Sequence, residues 1–190
     1  MNASLTPHPS TLSTLYTIGH SNRTLDAFIA ILRAHGIEYL VDVRTIPRSR
    51  HNPQFNLDAL PASLAEFSIN WEHRAGLGGL RHACKDSPNQ GWRNASFRGY
   101  ADYMQTPEFT AEIEALTELA RRERTAIMCA EAVPWRCHRS LIADALTVRG
   151  IAVRHIMSEK TARPHTLTSF AQVEGTRISY PFALNGDAVP

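Results

Sequence analysis

The chain has 190 residues, 43% of them hydrophobic and 20% charged, which is the size and composition of one compact domain that folds without a disulfide or metal staple. Its 20 Lys and Arg against 18 Asp and Glu leave a formal charge of +2, which excludes a histone-like or polybasic coat and confines any basic surface to local patches. Three cysteines, Cys84, Cys129 and Cys137, are too few and odd in number for a secreted disulfide framework and suit free thiols in a reducing, cytoplasmic setting.

Residues 1–14, with Pro7 and Pro9, read as a flexible arm. They carry neither a basic n-region nor an apolar h-region, and no later run approaches the ~18 apolar residues of a spanning helix, so no membrane partner is expected. Leu15 to Ile18 is a short β-rich run ended by Gly19-His20-Ser21. Thr24 then caps a helix whose Leu25, Phe28, Ile29 and Leu32 recur at helical spacing, closed by Gly36. Ile37 to Val43 is nearly continuous apolar sequence, the pattern of a strand buried on both faces. Asn56 is a candidate cap for Leu57 to Phe67, a helix that Pro61 shortens or bends, and Ser68 to His73 forms a third strand.

Residues 76–98 form a long irregular excursion, of the length taken by functional lids and binding loops or by a mobile surface segment. After a short amphipathic piece at Tyr100 to Met104, Thr106 and Pro107 supply an N-cap and a first-turn proline for a helix reaching Arg122. Thr125 to Cys129 is a fourth strand, residues 130–136 a loop, Cys137 to Arg149 a helix closed by Gly150, and Ile151 to Ile156 a fifth strand. The tail, residues 159–190, has no strong periodicity and is expected to pack on the domain or extend from it.

Strands alternating with helices predict a single α/β domain over 15–158, a mostly parallel sheet of about five strands with helices on both faces. In such sheets ligands bind beside the loops that follow the carboxyl ends of the strands. Here those loops hold His20, Ser21 and Asn22, then Arg44, Arg48 and Arg50, then His73 and Arg74, then Glu131, then Ser158.

An ordered set of motifs carries a resemblance: Thr17-Ile18-Gly19-His20-Ser21, Val41-Asp42-Val43-Arg44 with Pro47, Ser49 and Arg50, Leu77-Gly78-Gly79, Gly99-Tyr100, and Cys129-Ala130-Glu131 with Cys137-His138-Arg139. Over residues 15–158 the chain resembles the Domain of Unknown Function 488 family. That resemblance implies the fold and the motif positions and no particular activity. The stretch from Cys129 to Gly150, with Asp42-Val43-Arg44, is also similar to rhodanese-like sulfurtransferases and the related cysteine phosphatases. It departs from them in having no glycine in the loop, a Pro134 that lacks an N–H, and a longer interval, all of which weigh against an intact anion nest.

Cys129, at a strand end and near Arg136, His138 and Arg139, is in the surroundings that lower a thiol pKa. At the free value of ~8.5 only ~3% is thiolate at pH 7, and a shift to ~6 makes it ~90%, so the local field decides between nucleophile and apolar filler. Cys137 is either a packed residue of the helix's first turn or a second thiol that resolves an oxidised Cys129. His138 is a candidate general acid or base or a helix-start residue, and Glu131 a proton acceptor or the ion-pair partner of Arg136 or Arg139. Asp42 and Arg44 are read as facing opposite ways, which leaves Arg44, Arg48, Arg50 and His51 as a cationic patch fit for phosphate or as a solvated rim.

His20 with Ser21 is a candidate metal ligand, general base or turn former, and His20, His73, His82, Cys84, Cys129 and His138 are numerous enough for a metal to be weighed. No C-x-x-C or H-E-x-x-H occurs, the neighbours Cys137 and His138 are not expected to reach one ion, and no Gly-x-Ser-x-Gly elbow exists, so neither a metal nor another cofactor is expected. Between 74 and 98, Arg74, Arg81, Lys85, Arg93 and Arg98 outnumber the single acid Asp86, with Trp71, Trp92, Phe97 and Tyr100 interleaved or adjacent. Such a stretch can stack bases and hold phosphates, or its rings can pin a long loop. The leading expectation is an enzyme acting on an anionic, phosphate- or sulfur-containing small molecule or nucleotide. Cys129, Glu131 and His138 carry the chemistry, with His20, Ser21, Arg44, Arg48, Arg50, Arg136 and Arg139 binding the anion. The alternatives are a nucleic-acid or nucleotide binding module using residues 74–100, and a metal-dependent enzyme at the same edge. The sequence carries no signal for oligomeric state.

Overall fold

The computed structural model describes residues 13–182. In chain order these form β1 (Thr14–Gly19), α1 (Leu25–Ala34), β2 (Tyr39–Asp42), α2 (Leu60–Ala65), β3 (Asn70–His73), α3 (Ala95–Tyr103), α4 (Pro107–Arg122), β4 (Thr125–Cys129), α5 (Arg139–Thr147), β5 (Ala152–Ser158) and β6 (Thr161–Pro164), followed by a hairpin of β7 (Gln172–Glu174) and β8 (Arg177–Ser179). The main sheet runs β3-β2-β4-β1-β5-β6, parallel throughout except for β6, which pairs antiparallel with β5. Among the described residues no helix is long and apolar enough to cross a membrane.

Because successive strand side chains point to opposite faces, the sheet's residues divide between two cores. Tyr16, Ile18, Leu40, Ala126, Met128 and Ile156 pack with α1 and α2. Leu15, Val41, Val43, Ile127, Cys129 and Val153 pack with α3, α4 and α5 on the other side. The connection after β1 leads to the first face and the one after β4 to the second, so the two loops part between adjacent strands at the sheet's carboxyl edge. They stay tied where they part, His20 N donating to Cys129 O and Ser21 N to Ala130 O, both at 2.9 Å.

The sequence signals at helix ends hold closely. Thr24 caps α1 by accepting from Ala27 N, Thr106 caps α4 by accepting from Phe109 N, and Gly36 and Gly150 follow their helices at φ 63° and 78°. Asn56 does something else: its side chain accepts from Ser49 N at 2.6 Å, and α2 starts only at Leu60. The last helix starts at Arg139, two residues later than expected. Thr14, placed in the arm by the sequence, opens β1; the rest of that arm, up to residue 12, lies outside the described residues.

Two segments are more ordered than their sequences suggest. Asp102 of α3 gathers the excursion, accepting from Cys84 N at 2.8 Å, Ser87 Oγ at 2.5 Å and Asn89 Nδ2 at 2.8 Å. Asn89 Oδ1 in turn accepts from Tyr180 N, and Gly91 N donates to Tyr180 O. The tail adds β6 to the sheet and plugs Ile178 and Tyr180 into the α3–α5 core, so as far as residue 182 it packs on the domain; residues 183–190 lie outside the described residues.

Candidate active site

Cys129 ends β4, and the chain returns through a single 3-10 turn, Pro134–Arg136, to bring Cys137 and His138 in front of α5. Cys129 Sγ, Cys137 Sγ and His138 Nδ1 all lie within 4.8 Å of one another. The ring of His138 is fixed by its other nitrogen: Nε2 donates to Val43 O at 3.0 Å, which leaves Nδ1, 3.6 Å from Cys137 Sγ, as the acceptor for the thiol proton. Adjacent positions 137 and 138, expected to diverge, therefore converge, because residue 137 is extended (φ −138°, ψ 145°) and residue 138 is already helical.

The electrostatics separate the two thiols. Cys137 is held well below the ordinary thiol range by the hydrogen bond from Cys129, against the opposing effect of its burial, with further lowering from His138 and the Arg139 cation. Cys129 moves the other way, raised by its hydrogen bond to Cys137, by burial and by the neighbouring sulfur's charge. His138 and Arg139, expected from the sequence around Cys129, both touch Cys137, and Cys129 serves that sulfur as a donor.

Arg139 is 1% exposed and makes no ion pair among the described residues. Its Nε donates to Cys137 Sγ at 3.4 Å, its Nη1 to Thr17 Oγ1 at 3.4 Å, and its Nη2 to the backbone carbonyl of Glu131. The expected pairing with the Glu131 carboxylate does not form; that side chain is exposed and makes no ion pair among the described residues. From Thr17 a hydrogen-bonded chain continues to His155 Nδ1 (2.8 Å), from His155 Nε2 to His165 Nδ1 (3.0 Å), and from His165 Nε2 to Asp144 Oδ1 (2.8 Å). Asp144 also accepts from Thr168 N, Thr168 Oγ1 and Tyr180 Oη. Neither His155, His165 nor Asp144 was singled out from the sequence, since their partners lie up to 138 positions away.

On the opposite face of the sheet stands a second polar cluster. Asp42 and Arg44, read from the sequence as facing apart, are two positions apart and so share a face. Arg44 Nη2 bonds Asp42 Oδ2 at 2.5 Å and Nε bonds Oδ1 at 2.9 Å, with both side chains buried. Arg44 Nη1 donates to His20 Nε2 at 3.3 Å, and His20 Nδ1 donates to Ser21 O at 2.7 Å while its ring stacks on Phe55 at 4.4 Å. Desolvation, with Arg44 adding to it, lowers the His20 pKa to about 4. Ser21 itself turns the chain at φ 53°. Arg48 and Arg50 are exposed, whereas Arg44 is buried against Asp42.

A cavity of about 460 Å³ opens over the thiols and is lined by Arg44, Gly79, Phe97, Glu131, Arg136 and the Cys137-His138 pair. Arg136 is exposed and also lines two adjoining hollows, one of about 680 Å³ walled by Trp135, His155 and His165 and one of about 500 Å³ walled by Trp92 and Arg93. The motif glycines back this site closely. A Cβ on Gly79 would lie 2.4 Å from His138 Nδ1, and one on Gly19 would lie 1.8 Å from Glu131 O. The rings of the excursion are largely occupied: Trp92 packs on Phe97, Phe170 and Tyr180, Tyr100 is buried, and Arg81 lies 3.6 Å over Tyr103. Arg74 is paired with Glu72 and Glu112.

A family model described as Domain of unknown function DUF488 matches residues 24–146. No curated protein and no solved structure matches the chain.

Proposed function

The chain belongs to the DUF488 family, whose description assigns no reaction, and from the geometry of the site we propose that it is a thiol-dependent enzyme acting on a small anionic, sulfur- or phosphate-containing substrate. The observation that carries the reading is the convergence of Cys137 Sγ, Cys129 Sγ and His138 Nδ1 at the floor of a cavity whose wall holds Arg136. His138, aligned by Val43 O, takes the thiol proton; Cys129 and Arg139 donate to the resulting sulfur anion.

The step that follows is a displacement. Cys137 Sγ forms a bond to the electrophilic sulfur or phosphorus, the bond to the leaving group breaks and its electron pair departs with that group, and His138 returns the proton to it. Water or an acceptor nucleophile then takes the transferred group from Cys137 and regenerates the thiol. Arg136 holds the substrate's charge at the cavity mouth, with Glu131 exposed on the same rim as a second proton-handling group.

The test is a pair of assays, sulfur transfer from thiosulfate to cyanide and hydrolysis of an aryl phosphate, run alongside iodoacetamide labelling of the native protein resolved by mass spectrometry. Turnover in one assay that falls at least a hundredfold in Cys137→Ser, with Cys137 labelled ahead of Cys129, is the expected result. Turnover retained in Cys137→Ser, or a Cys137 that resists labelling until the protein unfolds, removes the proposal.

A further inference from the structure

We propose that Cys129, Cys137 and His138 form a binding site for one soft divalent cation of the zinc class, with a fourth coordination position open to the 460 Å³ cavity. Two sulfurs and one imidazole nitrogen are the donor set such ions select, and three protein ligands with one position left open is the arrangement of reactive rather than purely structural sites. Among the described residues this is the one group of histidine, cysteine and acidic side chains whose donor atoms gather this closely.

The spacing fits. A triangle with no edge longer than 4.8 Å has a point within about 2.8 Å of every corner, so contraction by about half an ångström reaches the ~2.0–2.3 Å of bonds from nitrogen and sulfur to zinc. Cys137 Sγ and His138 Nδ1, at 3.6 Å, already stand at the separation that two ligands of a tetrahedral ion take, about 3.5 Å.

The second observation is the set of groups behind the ligands. His138 Nε2 donates to the Val43 carbonyl, which turns Nδ1 toward the sulfurs and fixes it as the free lone pair, the same outer-shell bond that orients metal-bound imidazoles. Arg139 Nε donates to Cys137 Sγ, a hydrogen bond that a metal thiolate keeps. Gly79 leaves room for the imidazole where any Cβ would press on Nδ1. These orienting groups lie just after β2, on α5 and in the 78–80 loop, so the site is preformed by three parts of the fold.

Binding balances without a redox partner. The cation forms bonds to both sulfurs and to Nδ1, and the two thiol protons are released to solvent. The inference uses the same side chains as the thiol chemistry proposed above but does not require it. Where both hold, the cation regulates the enzyme, because a sulfur bound to metal is withdrawn from attack on substrate.

The experiment uses the full chain without a histidine tag, reduced and stripped with a chelator, then titrated with Co²⁺ as the probe. One equivalent is expected to bring up a near-ultraviolet sulfur-to-cobalt band together with the visible absorption of a four-coordinate ion. That band should fall by at least half in Cys129→Ser and in Cys137→Ser, and His138→Ala should weaken Co²⁺ binding at least tenfold. Stoichiometric Zn²⁺ added to the unmodified sequence should slow iodoacetamide labelling of Cys129 and Cys137 and leave the exposed Cys84 unaffected, a readout that needs no variant to fold. Absence of the band, or a band unchanged in both serine variants, overturns the site. Selective labelling of Cys137 without a cobalt band overturns the metal site while the thiol enzyme stands. A one-equivalent band in a protein whose Cys137→Ser variant keeps its turnover confirms the metal site and removes the thiol mechanism.

Discussion

Arg139 and Asp144 lie five positions apart on α5, both buried, and the hydrogen-bonded path between them leaves the helix and returns through Thr17, His155 and His165. Arg139 can only donate, so Thr17 Oγ1 accepts from it and donates onward to His155 Nδ1; His155 Nε2 then donates to His165, and His165 Nε2 to the Asp144 carboxylate. Burial lowers the His155 pKa to about 4, so this ring is neutral at pH 7, with one nitrogen donating and the other accepting. The cation next to Cys137 is thereby linked to a carboxylate with four donors on it, without bringing that carboxylate up to the sulfur.

Thr17→Val removes the central hydroxyl while nearly keeping its volume. It leaves His155 Nδ1 without a donor and Arg139 Nη1 without an acceptor, and the expected loss is about 1–3 kcal/mol, the usual consequence of a buried polar group left unpaired. Urea unfolding at pH 7 measures it, and a loss below about 0.5 kcal/mol would show that the chain of bonds carries no stability.

Stability is expected to fall as the protein is acidified from pH 6.5 to pH 4. Burial, the first cause in each case, lowers His20 and His155 to about 4, so between that value and ~6.5 the unfolded chain binds protons at both positions that the folded chain does not. Unfolding is then favoured by up to about 3 kcal/mol per histidine at the acid end of the window, at about 1.4 kcal/mol per pKa unit. Urea midpoints across the window check this, and His155→Gln should flatten the slope by its own share. A midpoint independent of pH from 4 to 6.5 would contradict the neutral assignments.

The two arginines of the thiol cavity should behave oppositely. Arg44→Ala leaves Asp42 buried without its partner and is expected to destabilise by about 3–5 kcal/mol. Arg136 is exposed and outside every ion pair of the described residues, so Arg136→Ala should change stability by no more than about 0.5 kcal/mol. If Arg136 holds the substrate's charge, its loss raises KM severalfold with the fold intact. Thermal melts and steady-state kinetics on both variants separate the roles.

Gly79→Ala puts a Cβ 2.4 Å from His138 Nδ1, and Gly19→Ala puts one 1.8 Å from a backbone carbonyl. The histidine ring can move and the backbone cannot. Gly79→Ala is therefore expected to disturb Cys137 reactivity with a modest fall in Tm, and Gly19→Ala to lower Tm by far more. Equal falls in Tm would show that the ring is as fixed as the backbone.

Much of the sheet was legible because its signals are local. Thr24 and Thr106 cap the helices the sequence expects, and Thr125 to Cys129 is a strand over its full expected length. The tail strands were not legible: β7 is exposed along its whole length, Gln172 to Glu174, so it has no buried alternation to read. At the site, proximity in sequence drew attention to Cys129, Cys137, His138 and Arg139, and the structure does bring these four together. What the sequence left out is set by long-range pairing. Arg44 was read as a free cation because its neutralising partner, two residues back, was placed on the wrong face, and Arg139's distant support from Thr17, His155 and Asp144 has no spacing rule to announce it.

The company kept by Asp144 sets where the chain can be cut. Its four hydrogen bonds come from His165, Thr168 and Tyr180, all beyond the last parallel strand. A fragment ending at residue 158 would contain every thiol and every helix and would still expose α5 with a bare carboxylate at its centre. An autonomous unit is therefore expected to extend through Tyr180, with the C-terminal segment serving as the plug of the domain's interior.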